Sequence, residues 1–451
     1  MDDRRLRVAV VGSGPAGFYA ADALLKSEDT AVEVDMFDRL PTPWGLVRLG
    51  VAPDHPNIKA VSRAFERIAE KPGFRFYGNV EIGRDLGHGD LTQLYDAVVY
   101  AVGAQTDRRM GIPGEDLPGS WPATAFVAWY NGHPDFQELD FDLSGERAVV
   151  IGNGNVAVDV ARMLALTAEE LAPTDTTDAA IAAIVGSRLR DIVMLGRRGP
   201  VQAAFTTPEL QELGELAGAD VVVDSADLEL DPASEAELEG GTAIPRRNLE
   251  LLREYATREP SGKPQTVHLR FRVSPVAILG DGKVEALEVV RNTLVVDDSG
   301  QIRAVATEER EVIPCGIVFR SVGYRGVALP DVPFDERRAT IANSDGRVTG
   351  EDGSHVRGVY CTGWIKRGPS GVIGTNKKDA AETVEHLLTD ARAGLLPPVE
   401  GGDVETLLGP GFVPYAGWQA IDAVERANGE AQGRPRVKFS HWAELLAAAR
   451  G

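Results

Sequence analysis

The apolar and polar positions of the chain repeat one order of elements. Near the start, the β-branched run Leu6-Arg-Val-Ala-Val-Val11 meets Gly12-Ser-Gly14-Pro-Ala16-Gly17 and passes into an alanine-rich helical pattern. The period changes there from that of a buried strand to that of a helix. Val32 to Phe37 predicts a second strand ending at Asp38. Asn57 to Lys71 carries Ile58, Val61, Phe65 and Ile68 at helical spacing, and Phe74 to Ile82 reads as a strand ending near Val80. Asp96-Ala-Val-Val-Tyr-Ala-Val-Gly103 is another buried strand. Glycine, proline and charge over Thr106 to Gly119 then mark a domain crossing.

The order returns at Arg147-Ala-Val-Val-Ile151, followed by Gly152-Asn153-Gly154-Asn155-Val156-Ala157 and a helix. Thr167 to Gly186 reads as an extended helix or insertion. The next strand, Asp191 to Gly196, ends in Arg197-Arg198. Thr207 opens a helix with Pro208 at its first position and Glu209 and Glu212 on one face. Asp220 to Glu250 is acidic and polar and reads as a surface excursion. His268 to Arg272, Pro275 to Leu279, Val284 to Val290 and Asn292 to Val296 read as antiparallel strands. Ile317 to Tyr324 closes this second unit. Val356 to Trp364 is a strand ending in a turn, and glycines at 368, 371 and 374 lead into a helix over Ala380 to Leu388. A short helical segment, Trp442 to Arg450, ends the tail, and Arg434, Arg436 and Lys438 form a basic cluster before it.

Strand, GxGxxG or GxGxxA, helix is the pattern of a dinucleotide site. Gly12 allows the tight turn, Gly14 admits a pyrophosphate to the backbone, and Gly17 lets the helix pack close to the strand. Two such units can hold two dinucleotides. Their second strands end differently. Asp38 suits a ribose hydroxyl, whereas Arg197 and Arg198 suit a 2′-phosphate, so the second site should prefer NADPH to NADH. The alternative is that both arginines solvate a strand end. Arg39 to Pro56 forms an irregular segment beside the first cofactor, where Trp44 and Leu46 could cover a flat ring system. His55 is the one histidine considered for chemistry, against a histidine merely hydrogen-bonded in a loop. Glu209 and Glu212 fit a first turn favoured by the helix dipole. Backbone amides of Gly371, Val372 and Ile373 could contact a cofactor pyrimidine.

A length of 451 residues allows about two to four domains. Lys and Arg number 47 against 68 Asp and Glu, a net charge of −21. Such a balance argues against non-specific binding to nucleic acid or an anionic membrane. Cys315 and Cys361 are the only cysteines, spaced neither as a CxxC redox pair nor as metal ligands. No metal site or resident iron–sulfur cluster is expected. With no apolar run of about 18 residues and no leader pattern, the expectation is a cytoplasmic protein.

At this point the residues resemble a known family. The two glycine fingerprints, Trp44-Gly-Leu-Val-Arg48, Ala52-Pro-Asp-His-Pro56, Arg197-Arg-Gly-Pro-Val-Gln-Ala-Ala-Phe205 and Gly363-Trp-Ile-Lys-Arg-Gly-Pro-Ser-Gly371-Val-Ile-Gly374 are similar to adrenodoxin reductase and its bacterial relatives. The resemblance implies an α/β, glutathione-reductase-like fold with two Rossmann-like domains. An FAD domain over residues 1–106 and 326–451 would be interrupted by an NADP domain over 107–325. It implies electron transfer from NADPH through FAD to a ferredoxin, hydride in and single electrons out, by a monomer. By position, Ala16, Asp38, Leu46, Val80, Trp364 and Gly371 to Ile373 would contact FAD. Asn153 to Val156 (Gly154 and Asn155 between them), Arg197, Arg198, Glu209 and Gly371 would contact NADP. His55 and Glu212 match positions tied to proton and electron handling near the flavin. Asp38 is shorter than the family's frequent glutamate. The missing CxxC disfavours a disulfide or thioredoxin output. The alternative is the flavin subunit of a larger, glutamate-synthase-like complex.

Overall fold

A computed structural model of the chain describes residues 5–451. It forms two compact units. The first comprises residues up to Thr106, a short return at Asn131–Pro134, and Gly323–Gly451; the second comprises Asp107–Tyr130 and Asp135–Val322.

The first unit is organised on an eight-stranded sheet. Its centre is five parallel strands in the order His355–Cys361, Ala97–Tyr100, Leu6–Val11, Val32–Phe37 and Phe74–Gly78. Val8, Ala9 and Val10 are fully buried, as a strand covered on both faces requires. The helix Pro15–Leu25 packs on the sheet beside Thr375–Arg392. The return at Asn131 joins this unit through cations: Lys59 Nζ and Lys438 Nζ both donate to Asn131 Oδ1, at 3.1 and 3.2 Å.

The second unit has six parallel strands, ordered Ser120–Pro122, Ile317–Arg320, Arg147–Ile151, Asp191–Gly196, Gln265–Phe271 and Ala219–Val223. A separate antiparallel sheet follows, of Val273–Leu279, Ala286–Val296 and Ile302–Pro314.

Several expectations need correction. His268 lies in a central parallel strand, not an antiparallel one, and the third antiparallel strand, Ile302–Pro314, carries so many charges that its apolar pattern is hidden. The helix expected over Asn57 to Lys71 is two pieces, Pro56–Lys59 and Ser62–Ala69, with Ile58 exposed. The excursion from Asp220 to Glu250 is not merely surface: Asp227, Ser234 and Asn248 are buried in it. A helix over Tyr415–Glu430 was not foreseen. The basic cluster beside it is internal. Arg434 and Lys438 are buried, and Arg436 pairs with Asp422 and Glu425. Residues 131–134 fall in the first unit rather than the second.

Candidate active site

In the first unit, the site is made of backbone. Gly12 has a φ of +106°, and a Cβ on it would stand 2.5 Å from the Ala101 carbonyl oxygen; on Gly17 it would stand 2.0 Å from that of Gly12. Only glycine fits either place. Gly14 differs, since a Cβ there would meet nothing within 4 Å. Gly14 is the N-cap of Pro15–Leu25, whose first turn has no side-chain cap and no acid. The Ala16 and Gly17 amides therefore have no partner within their helix, and no side chain caps the positive end of its dipole. That arrangement can accept a pyrophosphate.

Asp38 stands at the adjoining strand end. The amide and hydroxyl of Ser13 both donate to its Oδ2, and the Leu40 amide donates to its Oδ1 at 2.9 Å. Burial raises the Asp38 pKa, against the pull of these bonds. One lone-pair site on Oδ1 remains for a ribose hydroxyl. The Val80 amide donates to the Asp38 carbonyl at 2.9 Å, and the Val80 side chain is buried in the core, so this residue can meet a ligand only through its main chain.

The irregular segment lies against the same loop. The Trp44 amide donates to the Ser13 carbonyl at 3.0 Å, and a Cβ on Gly45 would come within 2.8 Å of Gly14 Cα. Trp44 does not cover a flat ring as expected. It is buried, with its ring 4.8 Å from Phe18 and 5.8 Å from Phe65. Leu46 remains exposed and available. His55 is buried as the N-cap of Pro56–Lys59.

The Gly363–Gly374 segment completes this side. A Cβ on Gly363 would stand 2.6 Å from Ala16 Cβ and 3.6 Å from Asn376 Oδ1. Trp364 packs 5.2 Å from Tyr324, and its Nε1 donates to the Ser370 carbonyl. Thr375 Oγ1 accepts from the Val372 amide at 3.2 Å, so of the three expected amides only those of Gly371 and Ile373 are left for a ligand. Nothing in the sequence pattern singles out Arg367 from the basic residues around it. Its Nη2 donates to Asn376 Oδ1, while Nε and Nη1 are buried and meet no acceptor within hydrogen-bond distance among the described residues. Arg367 is half-buried and lies 4.0 Å from Asp379 Oδ2, too far for a hydrogen bond, so two of its donors stay open to an acceptor-rich anion, and the residues present fit a flavin dinucleotide.

In the second unit the same devices recur. Gly152 has a φ of +136°, and a Cβ there would stand 2.2 Å from the Ser321 carbonyl oxygen. Gly154 is open, with Ala204 Cβ the nearest atom at 3.9 Å. The third position tolerates Ala157, fully buried in the helix Asn155–Ala165. The Asn153 carbonyl accepts from the Ala204 and Phe205 amides, and Asn155 Oδ1 accepts from the Thr206 amide at 2.8 Å. Val156 packs on the core. These bonds hold the glycine loop to the loop behind it. Arg197 is exposed and Arg198 half-buried, and among the described residues neither guanidinium has a hydrogen-bond or ion-pair partner.

Glu209 and Glu212 project from the helix Thr207–Leu213. Glu212 lies 3.4 Å from Arg162, which also pairs with Asp159. Burial and then the Asp159 charge push the Glu209 carboxyl up to about 8, against the pull of Arg162. Glu209 therefore keeps its proton to higher pH than an ordinary carboxyl does. Its native pKa is above the ordinary carboxylate value of 4.5. The native state thus binds the extra proton, and stability falls as pH rises between those two values. Glu209→Gln removes this dependence. Melting of the variant should decline less than that of the parent between pH 5 and 8; parallel profiles would contradict the assignment.

Both cysteines are buried and free, and burial pushes each thiol up to about 12, so neither is a nucleophile near neutral pH. Among the described residues no helix is long and apolar enough to cross a membrane.

Two sheets with parallel centres, each with a glycine loop and an uncapped helix start, define a two-dinucleotide oxidoreductase, and residues 6–195 match the family described as pyridine nucleotide-disulphide oxidoreductase. The chain is 51% identical to NADPH-ferredoxin reductase FprA of Mycobacterium tuberculosis over 453 residues, covering 97% of this chain and 98% of that one. It is 40% identical to the mitochondrial NADPH:adrenodoxin oxidoreductase of Arabidopsis thaliana, covering 99% and 96%. The solved structure of M. tuberculosis FprA in complex with NADPH superposes with a TM-score of 0.93 at 50% identity, over 99% of this chain and all of that one. The chain belongs to the adrenodoxin reductase-type ferredoxin–NADP reductase family.

Proposed function

We propose that the protein is an NADPH:ferredoxin oxidoreductase, with FAD held by the first unit and NADPH by the second. The observation that carries this reading is the contrast between the two strand ends. One presents Asp38 with a lone pair to spare; the other presents two arginines whose guanidiniums have no partner among the described residues. Bound FAD supplies the exchange between a two-electron donor and a one-electron acceptor. The chain's own residues do the rest. Gly14, Ala16, Asp38, Val80, Leu46, Arg367, Gly371 and Ile373 would hold the FAD, the helix start and Arg367 supplying donors to its phosphates and Asp38 an acceptor to a ribose hydroxyl. Gly154, Asn155 and Val156 receive the NADPH pyrophosphate, and Arg197 and Arg198 its 2′-phosphate. His55 and Glu212 are assigned to proton and electron handling, and Glu209 to an NADPH contact as a donor.

Ferredoxin as acceptor is supported by the names of the relatives. One, from Mycobacterium bovis, is a probable ferredoxin/ferredoxin–NADP reductase, 46% identical, of which this chain covers 76%. The two inert thiols offer no dithiol route for the electrons. On this reading the enzyme works as a cytoplasmic monomer. Anaerobic mixing with NADPH should bleach the flavin band of the holoenzyme, and NADH should do so far more slowly. A flavin band that NADPH leaves intact would overturn the proposal.

A further inference from the structure

The two arginines at 197 and 198 stand on a strand end that is latched from behind. Asn292 is almost fully buried, beside a bulge in the strand Ala286–Val296. Its Nδ2 donates to the Arg197 carbonyl at 2.8 Å and to Ser274 Oγ at 2.8 Å. The next carbonyl, that of Arg198, accepts from the Arg272 amide at 2.9 Å. Arg272 has a φ of +57°, a left-handed conformation that a non-glycine residue holds only when its surroundings impose it. One of those surroundings is Asn292 again, whose amide donates to the Arg272 carbonyl at 2.7 Å. One residue away, the Gly199 amide donates to Gln202 Oε1 at 3.1 Å, and Gln202 Nε2 is held by Glu237 at 2.7 Å.

Three consecutive residues thus have a main-chain group fixed by residues outside the strand, while the two guanidiniums have no partner among the described residues. Bidentate recognition of a phosphate needs a guanidinium in a set position and orientation. A flexible strand end would spend binding energy on ordering itself. We propose that Asn292 is a positioning residue for coenzyme selectivity: it sets Arg197 and Arg198 for the 2′-phosphate without touching the coenzyme. The inference rests on the reading of those arginines as the 2′-phosphate site.

The test uses holoenzyme carrying Asn292→Ala or the isosteric Asn292→Asp, whose carboxylate donates neither of the two Nδ2 bonds. The probes are 2′,5′-ADP and 5′-AMP as inhibitors competing with NADPH. Inhibition constants do not depend on how much of a preparation is active, so partial loss of folded protein does not blur the result. Losing one such hydrogen bond should raise the 2′,5′-ADP constant about fivefold to tenfold and leave that of 5′-AMP within about twofold. The Michaelis constant for NADPH should rise with the turnover number unchanged. In an Arg197→Ala/Arg198→Ala background, adding Asn292→Ala should change neither constant, because the residue acts through those arginines. Equal weakening of both probes, or a loss that persists in that background, would overturn the latch. So would a parent enzyme that discriminates between the probes and variants that discriminate equally well. A parent that does not discriminate would instead overturn the 2′-phosphate reading, and the latch with it.

Discussion

Replacing Arg197 and Arg198 together by alanine raises the Michaelis constant for NADPH by roughly two orders of magnitude and that for NADH by less than about threefold. The magnitude follows from two charge-assisted contacts to a phosphate, each at the low end of about 1.5 to 3 kcal/mol because Arg197 is exposed and Arg198 only half-buried. The asymmetry follows from the ligand, since NADH has no 2′-phosphate for them to meet. Neither side chain is committed to another group among the described residues, so their loss breaks nothing in the fold. Steady-state kinetics with both coenzymes decides the point. Equal effects on NADPH and NADH would return the arginines to the role of solvating a strand end.

Glu425→Ala lowers the melting temperature of the holoenzyme by roughly ten degrees. Glu425 is fully buried and receives both Nη atoms of Arg48, at 2.8 and 2.5 Å, together with Arg436 at 3.0 Å and the Phe439 amide at 2.9 Å. Truncating one partner of a buried pair leaves the other charge unanswered, at a cost of about 3 to 5 kcal/mol. For a unit of this size each kcal/mol moves the midpoint by about 2 to 4 °C. The effect should reach the cofactor. Arg48 belongs to the turn that begins at Gly45, and Gly45 lies against Gly14. Flavin should therefore be released from the variant on dilution, seen as a rise in free-flavin fluorescence. Arg48→Met with Glu425→Leu should recover part of the stability, because the apolar pair needs no neutralisation and Asp422 still answers Arg436, while the Phe439 amide loses its acceptor. A midpoint within about a degree of the parent after Glu425→Ala would contradict this account.

The same residues show what was readable in the sequence. Both glycine loops, the acid and the arginine pair were legible because each lies within one strand, turn and helix, where spacing alone sets the geometry. Trp44 was misread because an aromatic side chain in an irregular segment looks the same whether it covers a ligand or joins a core. Its neighbours Phe65 and Trp418 are distant in sequence. The Arg48–Glu425 pair joins residues 377 apart, and no local pattern announces such a contact. Arg434, Arg436 and Lys438 looked like surface charge because paired and solvated cations are spelled alike. Asn292 was invisible for a further reason. Its meaning lies in a hydrogen bond to a carbonyl, and the main chain of Arg197 leaves no mark in composition or periodicity.

The central claim is that this single chain carries electrons from NADPH through FAD to a ferredoxin. The most direct measurement is NADPH-driven cytochrome c reduction by the holoenzyme, with and without a ferredoxin from the same organism. The account predicts a slow rate without ferredoxin and a rate that rises and saturates as ferredoxin is added. Reduction of artificial acceptors at full speed, with no increment from any ferredoxin supplied, would leave the flavin chemistry in place and contradict the acceptor.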